Sequence, residues 1–381
     1  MDVQVTTALS LPSPGALRTA GAIPLAESPM ARITGVGTAT PENSYTQREL
    51  LDAFDIKDRR IRSVFLNSAI ERRSLTLPPQ RPDGTRAQES QGQLLAKHRA
   101  EGIAIGAQAV EAALKRAGRE LADVRYLTCV TTTGFMAPGF SAHLIREMGI
   151  DTHCSRLDVV GMGCNAGLNA LNAVAGWAHA HPGELAVMVC IEVCSAAYVF
   201  DGTMRTAVVN SLFGDGAAAI CVVSGEAAAT PRPECGPELL KFASGIIPEA
   251  IGAMRYDWDD DANLFSFFLD RDIPYVVGGR VETVVGRLLD GTGLRRSDIG
   301  HWLVHSGGKK VVESVMVNLG LTRYDVRHTT AVLRDYGNLS SGSFLFSYER
   351  LLDEGLVRPG EYGVLMTMGP GSTIETALVR W

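Results

Sequence analysis

"VVGMGCNAGLNAL", residues 159–171, sets one cysteine among glycines at the end of an apolar run. Residues 157–160 ("LDVV") suit the end of a strand, and residues 166–180 ("AGLNALNAVAGWAHA") suit a helix that stops before Pro182. Cys164 then lies at a strand-to-helix junction. Free N–H groups and the helix dipole favour an anion there, so a thiolate would be stabilised. Gly161, Gly163 and Gly167 leave little bulk around the sulfur. The competing reading is a buried core thiol, because free cysteine is among the most buried residue types. The junction alone leaves both readings open. Cys190 and Cys194, in or beside an apolar strand, read as core.

The same alternation runs along the chain. "RYLTCVTTTG", "LAVMVCIEV", "AAICVVSG", "HWLVHSGG" and "YGVLMTMGPG" are continuously apolar and read as buried strands. Helical patterns such as residues 101–118 lie between them, which implies an α/β layered core. Residues 1–29 read as a flexible tail without the basic start of a signal peptide. Residues 78–92 read as a surface loop, and residues 229–238 as a connector between two halves. The 381-residue chain carries a net charge of -6 with scattered basic residues, and no apolar run reaches membrane-spanning length. Neither nucleic acid nor a membrane is expected as a partner. Seven irregularly spaced cysteines argue for reduced thiols in a cytoplasm, and none has zinc-site spacing.

Two more junctions resemble the first. In residues 301–320 a strand ends at His305, Gly307 and Gly308 turn the chain, and a helix begins near Lys309. Such a histidine faces a crevice in an open α/β sheet; a satisfied core histidine is the alternative. His98, His179, His181 and His301 read as surface residues. In residues 334–352, Asn338 occupies a Gly turn before a helix with Ser340 and Ser341 as caps. Asparagine in a turn is often only turn chemistry. Together the three suggest a nucleophile, its base and an oxyanion donor. Papain-like proteases use the same residue types, so types alone do not choose the reaction.

At this point the chain resembles the type III polyketide synthases, the chalcone-synthase-like branch of the thiolase superfamily. "GCNAG" (163–167), "LFGDGAAA" (212–219), "HSGG" (305–308), "YGNLSSGS" (336–343) and "GPG" (369–371) carry the resemblance, in order, across residues 31–381. "IRSVFLNSAIERR" and "FSFFLDRDIPYVVG" narrow it to a bacterial branch that makes dihydroxyphenylacetyl thioesters for glycopeptide antibiotics. The resemblance implies a thiolase fold. Two similar αβα halves, residues 30–235 and 236–381, would form a five-layered αβαβα core, usually in a homodimer.

By motif, Cys164 becomes the acyl-accepting nucleophile, and His305 and Asn338 the decarboxylation and oxyanion pair. Phe213 matches one gatekeeper. Phe267 matches the other, with Phe265 or Phe268 as alternatives if the register slips. Thr132, Ala137, Glu192, Ala197 and Ser340 are expected in the substrate pocket, where Glu192 either orients groups or is structural. For CoA, Arg60 fits the family pattern, whereas Ser63 and Asn67 stand where basic residues are usual. Gly307, Gly308 and Lys309 are further candidates, with Lys310 beside them; a solvated helix start is the alternative reading of the lysines. Ser306 replaces the usual proline. Malonyl-CoA is the implied substrate, with no cofactor or metal, and with hydratase- or isomerase-type auxiliary enzymes. Two other readings are a ketoacyl-acyl carrier protein synthase III-like priming enzyme and a partner subunit without a nucleophile. Retention of Cys164 argues against the latter.

Overall fold

The structure, a computed structural model, describes residues 30–198, 201–225 and 236–381. The expected tail and most of the expected connector lie outside them. The first half runs β1 (Arg32–Ala39), β2 (Ser44–Thr46), α1 (Gln47–Ala53), α2 (Arg59–Leu66), β3 (Arg72–Ser74), α3 (Gln91–Ala117) and β4 (Val124–Thr131). It continues with α4 (Phe140–Met148), β5 (Ser155–Val160), α5 (Ala166–Ala180), β6 (Leu185–Glu192), α6 (Met204–Leu212) and β7 (Gly216–Val223). The second half opens with β8 (Glu238–Gly245), β9 (Met254–Asp259), β10 (Leu264–Leu269), α7 (Ile273–Leu289) and β11 (Ile299–Val304). It closes with α8 (Lys309–Leu319), α9 (Arg327–Tyr336), α10 (Ser343–Glu354), β12 (Tyr362–Gly369) and β13 (Thr373–Arg380).

Strand order is β11-β12-β13-β8-β1-β7-β6-β4-β5. The β1–β8 link is a single residue pair, Arg32 with Glu238, reinforced by their 2.9 Å ion pair. The ladder therefore divides into two sheets, one per half. Side-chain alternation on β7 reveals the layers. Ala218, Ile220 and Val222 pack in a core with Leu168, Leu171 and Val174 of α5 and Leu345 and Leu351 of α10. Leu365, Ala377 and Val379 of the second sheet close the same core. Ala217, Ala219 and Cys221 point the other way, onto Ala109, Val110 and Ala113 of α3. On the far side of the second sheet, Trp302, Val304 and Met366 pack on Val277, Val281 and Val285 of α7 and Val315 of α8. The order is helix, sheet, helix, sheet, helix: the five-layered thiolase fold.

The central helices have apolar residues on most faces because both sides are covered. Helix α5 spans the stretch its sequence marks. Helix α3 starts ten residues before its apolar pattern: Ser90 and Gln93 form a capping box over a polar first turn. The expected surface position of His98 is overturned. It faces inward from α3 and is fully buried, with Gly134 lying flat against its ring. His301 is also buried, held by Glu361 at 2.8 Å.

α3 approaches β1 closely because Gly35 and Gly37 lack side chains. A Cβ at Gly37 would lie 2.3 Å from the Ala113 nitrogen and 2.6 Å from the Ala109 oxygen. Gly37→Val should cost about 3 kcal/mol through overpacking against backbone. Urea denaturation would test this; an unchanged midpoint would count against the close-packed interface.

Candidate active site

Cys164 lies two residues before α5 and is buried. Its loop is shaped by its neighbours. Gly163 adopts φ +82°, and a Cβ there would sit 2.0 Å from Pro370 Cδ. A Cβ at Gly369 would meet the Cys164 nitrogen at 2.9 Å. The closing "GPG" motif thus packs onto the nucleophile loop.

Asn338 is fixed from both sides. Its N–H donates to Leu212 O (2.9 Å), and its carbonyl accepts from the Gly214 N–H (3.0 Å). This bridge sets Phe213 beside it. Within the side chain, Oδ1 accepts from the Ser340 N–H at 2.8 Å. The amide carbonyl is occupied, so Nδ2 remains to donate. The Ser340 and Asn338 side chains act on the Cys164 thiol, lowering its pKa against the larger effect of burial. Ser340 holds a left-handed φ of 49°, a strained conformation for a non-glycine residue.

His305 follows β11 and is buried, its N–H donating to Met366 O at 2.8 Å. Its Nδ1 pairs with the Ser343 hydroxyl, which also reaches Ser340 O at 3.2 Å. That hydroxyl serves either tautomer. Donating to Ser340, it accepts Nδ1–H and leaves Nε2 as a base. Rotated toward Nδ1, it leaves Nε2–H as a donor. Gly307 makes room for the ring, because a Cβ would lie 3.3 Å from Nε2. Ser306 donates to Gly337 O (3.3 Å) and ties the histidine loop to the asparagine loop.

Burial pushes the Cys164 thiol up to about 12 and His305 down to about 3. The helix start alone therefore does not yield the thiolate that the sequence suggested. If Nε2 takes the Sγ proton, as the sequence motifs imply, both charges arise together and their attraction offsets part of the desolvation cost.

Glu192 is the third buried ionisable group of the site. One oxygen accepts from the Thr132 N–H (3.0 Å) and hydroxyl (3.2 Å); the other accepts from Ser341. The Thr132 and Ser340 hydroxyls meet at 3.0 Å. Burial raises Glu192 to about 7. A chain of hydroxyls thus runs from Ser340 through Thr132 to a carboxyl that titrates near neutrality. Ser340 and Ser341 do not cap α10, as their sequence position suggested. Gly342 occupies the cap position without a side-chain bond, and both hydroxyls serve this network instead.

Among the three candidate phenylalanines, Phe267 faces Phe213, edge to face at 6.2 Å. Phe265 is half exposed beside Trp258, and Phe268 lies under Arg255. Phe213 and Phe267 belong to the apolar cluster around Cys164 and also line a cavity of about 820 Å³ with Ala197 and Tyr198. That cavity carries Asp52, Asp55, Asp83, Glu89, Asp201 and Asp259 against two arginines, the wrong sign for CoA phosphates. Ala137 is exposed on the loop after β4, so within one chain it does not line the pocket as expected. Arg60 on α2 and Lys309 at the start of α8 are both exposed. Gly308 adopts φ +121° where α8 begins. Among the described residues, no group of three His, Cys, Asp or Glu side chains could hold a metal ion. No described helix is long and apolar enough to cross a membrane. Sequence reasoning missed Ser343 and Arg73. Ser343 stood inside a quoted motif, but only its contact with His305 gives it a role.

Residues 81–226 match the N-terminal domain model of chalcone and stilbene synthases, and residues 239–381 the C-terminal one. The chain belongs to the chalcone and stilbene synthase family. It is a type III polyketide synthase, an acyltransferase. Over its full length it is 67% identical to the whole of the 3,5-dihydroxyphenylacetyl-CoA synthase of Streptomyces toyocaensis. It is 65% identical to the enzyme of that name from Amycolatopsis orientalis, again with both chains fully covered. Among solved structures, 1,3,6,8-tetrahydroxynaphthalene synthase from Streptomyces coelicolor superposes with a TM-score of 0.82 at 28% identity, covering 92% of this chain and 99% of that one. PKS-I from the brown alga Ectocarpus siliculosus shares the fold at 23% identity and TM-score 0.86, covering 93% and 99%.

The ionisation argument predicts a pH profile. In His305→Gln, alkylation of Cys164 by iodoacetamide should rise about tenfold per pH unit from pH 7 to 10, because only a group near 12 titrates. The parent should react faster at pH 7, its thiolate paired with imidazolium. Identical profiles for the two proteins would dismiss the ion pair.

Proposed function

We propose that the protein condenses malonyl-CoA units on Cys164 and closes the chain to 3,5-dihydroxyphenylacetyl-CoA for a glycopeptide antibiotic pathway. The 67% identity along the whole chain to an enzyme of that name is the observation that carries this reading.

In this mechanism the Cys164 proton passes to His305 Nε2, and the sulfur attacks the thioester carbonyl of a malonyl-derived acyl-CoA. The C–S bond to CoA breaks, and CoA leaves as the thiol with that proton. A second malonyl-CoA sets its thioester oxygen between Asn338 Nδ2–H and His305 Nε2–H. Loss of carbon dioxide places the electron pair on that oxygen as an enolate, where the two donors stabilise developing charge. The enolate carbon attacks the acyl-Cys164 thioester and frees the sulfur. Four two-carbon units supply the eight carbons of a dihydroxyphenylacetyl group, with no aromatic starter. Intramolecular aldol closure and loss of water give the ring without net oxidation, so neither cofactor nor metal is required.

The Ser340–Thr132–Glu192 chain suits the proton transfers of ring closure, since Glu192 titrates near neutrality. Phe213 and Phe267 exclude water from the reactive chain. Arg60, Lys309 and the backbone at Gly307 and Gly308 are the proposed CoA contacts, and Lys309 opens a helix. We also infer a cytoplasmic homodimer, assisted in dehydration by hydratase- or isomerase-type enzymes. Six described cysteines, all free, suit a reducing compartment.

Incubation with malonyl-CoA alone should yield the eight-carbon aromatic product by mass, without any carrier protein. Absolute dependence on an acyl carrier protein would point to a priming synthase instead. Cys164→Ala should abolish condensation. Asn338→Ala should slow carbon dioxide release more than acyl loading; equal loss of both would refute the oxyanion role.

A further inference from the structure

Arg73, in the short strand β3, is fully buried. One guanidinium nitrogen donates to the Phe213 carbonyl and the other to Gln47 Oε1 at 2.9 Å. Nε has no hydrogen-bond partner among the described residues. Asp215 is the carboxylate that acts on Arg73 through space. Its own oxygens are taken by the Thr76 N–H (2.9 Å), the Ser195 N–H (2.7 Å) and the Ser195 hydroxyl (2.6 Å). Burial lowers Arg73 to about 9, so it remains a cation at neutral pH.

A buried cation bonded only to neutral acceptors is costly, and an apolar side chain would fill the space without that cost. What it touches gives it a purpose. The carbonyl it holds belongs to Phe213, the residue bridged to Asn338. Leu212 and Gly214, on either side, make the two backbone bonds to Asn338. The arginine stem also packs on Gly337, where a Cβ would meet Arg73 Cδ at 2.8 Å and Cγ at 3.0 Å. Asn338 is thus bracketed by one side chain, from the bridged Phe213 and from its own preceding residue.

We propose that Arg73 is a positioning residue for decarboxylation, an inference that rests on the malonyl-CoA reading above. It locks the Phe213–Asn338 bridge so that the Asn338 amide meets the enolate oxygen, and its positive charge favours that anion. The same clamp sets the Phe213 ring at the mouth of the site.

Arg73→Met keeps the stem but removes the charge and both donors. Arg73→Lys keeps the charge and one donor. In the folded Met variant, carbon dioxide release from malonyl-CoA should fall roughly tenfold or more, approaching but not exceeding the roughly hundred- to thousandfold loss of an oxyanion donor removed outright. The KM for malonyl-CoA should stay within about twofold, since it does not depend on the enolate, and iodoacetamide labelling of Cys164, whose thiol Asn338 also reaches, should change several-fold less than decarboxylation. The Lys variant should recover part of the loss. Decarboxylation at the parent rate overturns the proposal, as does equal loss of labelling, KM and decarboxylation. If the Met variant does not melt cooperatively, the Lys variant decides by the same comparison. A parent protein that fails to decarboxylate malonyl-CoA refutes the proposed function, and the role of Arg73 with it.

Discussion

The carbonyl oxygen of Ser341 lies 2.3 Å from where any Cβ at position 167 would be. This close approach of the first turn of α5 to the loop before α10 is the constraint on which the site depends. It joins a helix start from the first half to a loop from the second. Cys164 stands at one end of the contact, and Asn338 and Ser340 at the other. The same junction is closed by Pro370 against Gly163. Three segments far apart in the chain therefore meet at glycines, because only a residue without a side chain lets backbones come so near.

Around that contact the chemistry is built almost without permanent charge. Thr132, Ser340, Ser341 and Ser343 surround the thiol, the imidazole and Glu192 with hydroxyls. Hydroxyls both donate and accept, so they follow a proton without being desolvated as ions. Burial holds the Cys164 thiol and the His305 imidazole neutral at rest and makes each fixed dipole stronger than it would be in water. Such a site stabilises charge where and when the reaction creates it, while an apolar wall of aromatic rings stands beside it.

Much of the site was legible in the sequence, for a local reason. Cys164 and His305 each sit where an apolar run gives way to glycines and a helix, and Asn338 sits in a glycine turn between helices; both patterns are written within about ten residues. The extent of α3 was less legible, because its first turns are polar and carry no stripe. His98 looked like a surface residue, since nothing local shows that Gly134 covers its ring. Ser340 and Ser341 looked like caps, because capping and side-chain networks use the same residue types. Arg73 ends the quoted stretch "IRSVFLNSAIERR", yet nothing local gave it a role; a charged residue in a short strand ordinarily reads as solvated.

By itself the sequence determined the α/β class and the strand–helix junctions that hold Cys164 and His305, whereas Asn338 lies between two helices. These follow from apolar periodicity and turn chemistry, which act between near neighbours. Only the tertiary structure decided which phenylalanine faces Phe213, where the serine hydroxyls point, that Ala137 is exposed, and that a buried arginine clamps the asparagine loop. Those outcomes depend on how two sheets stack around α5 and α10. Desolvation, and with it the protonation of Cys164, His305 and Glu192, is a property of that stacking and of no single segment.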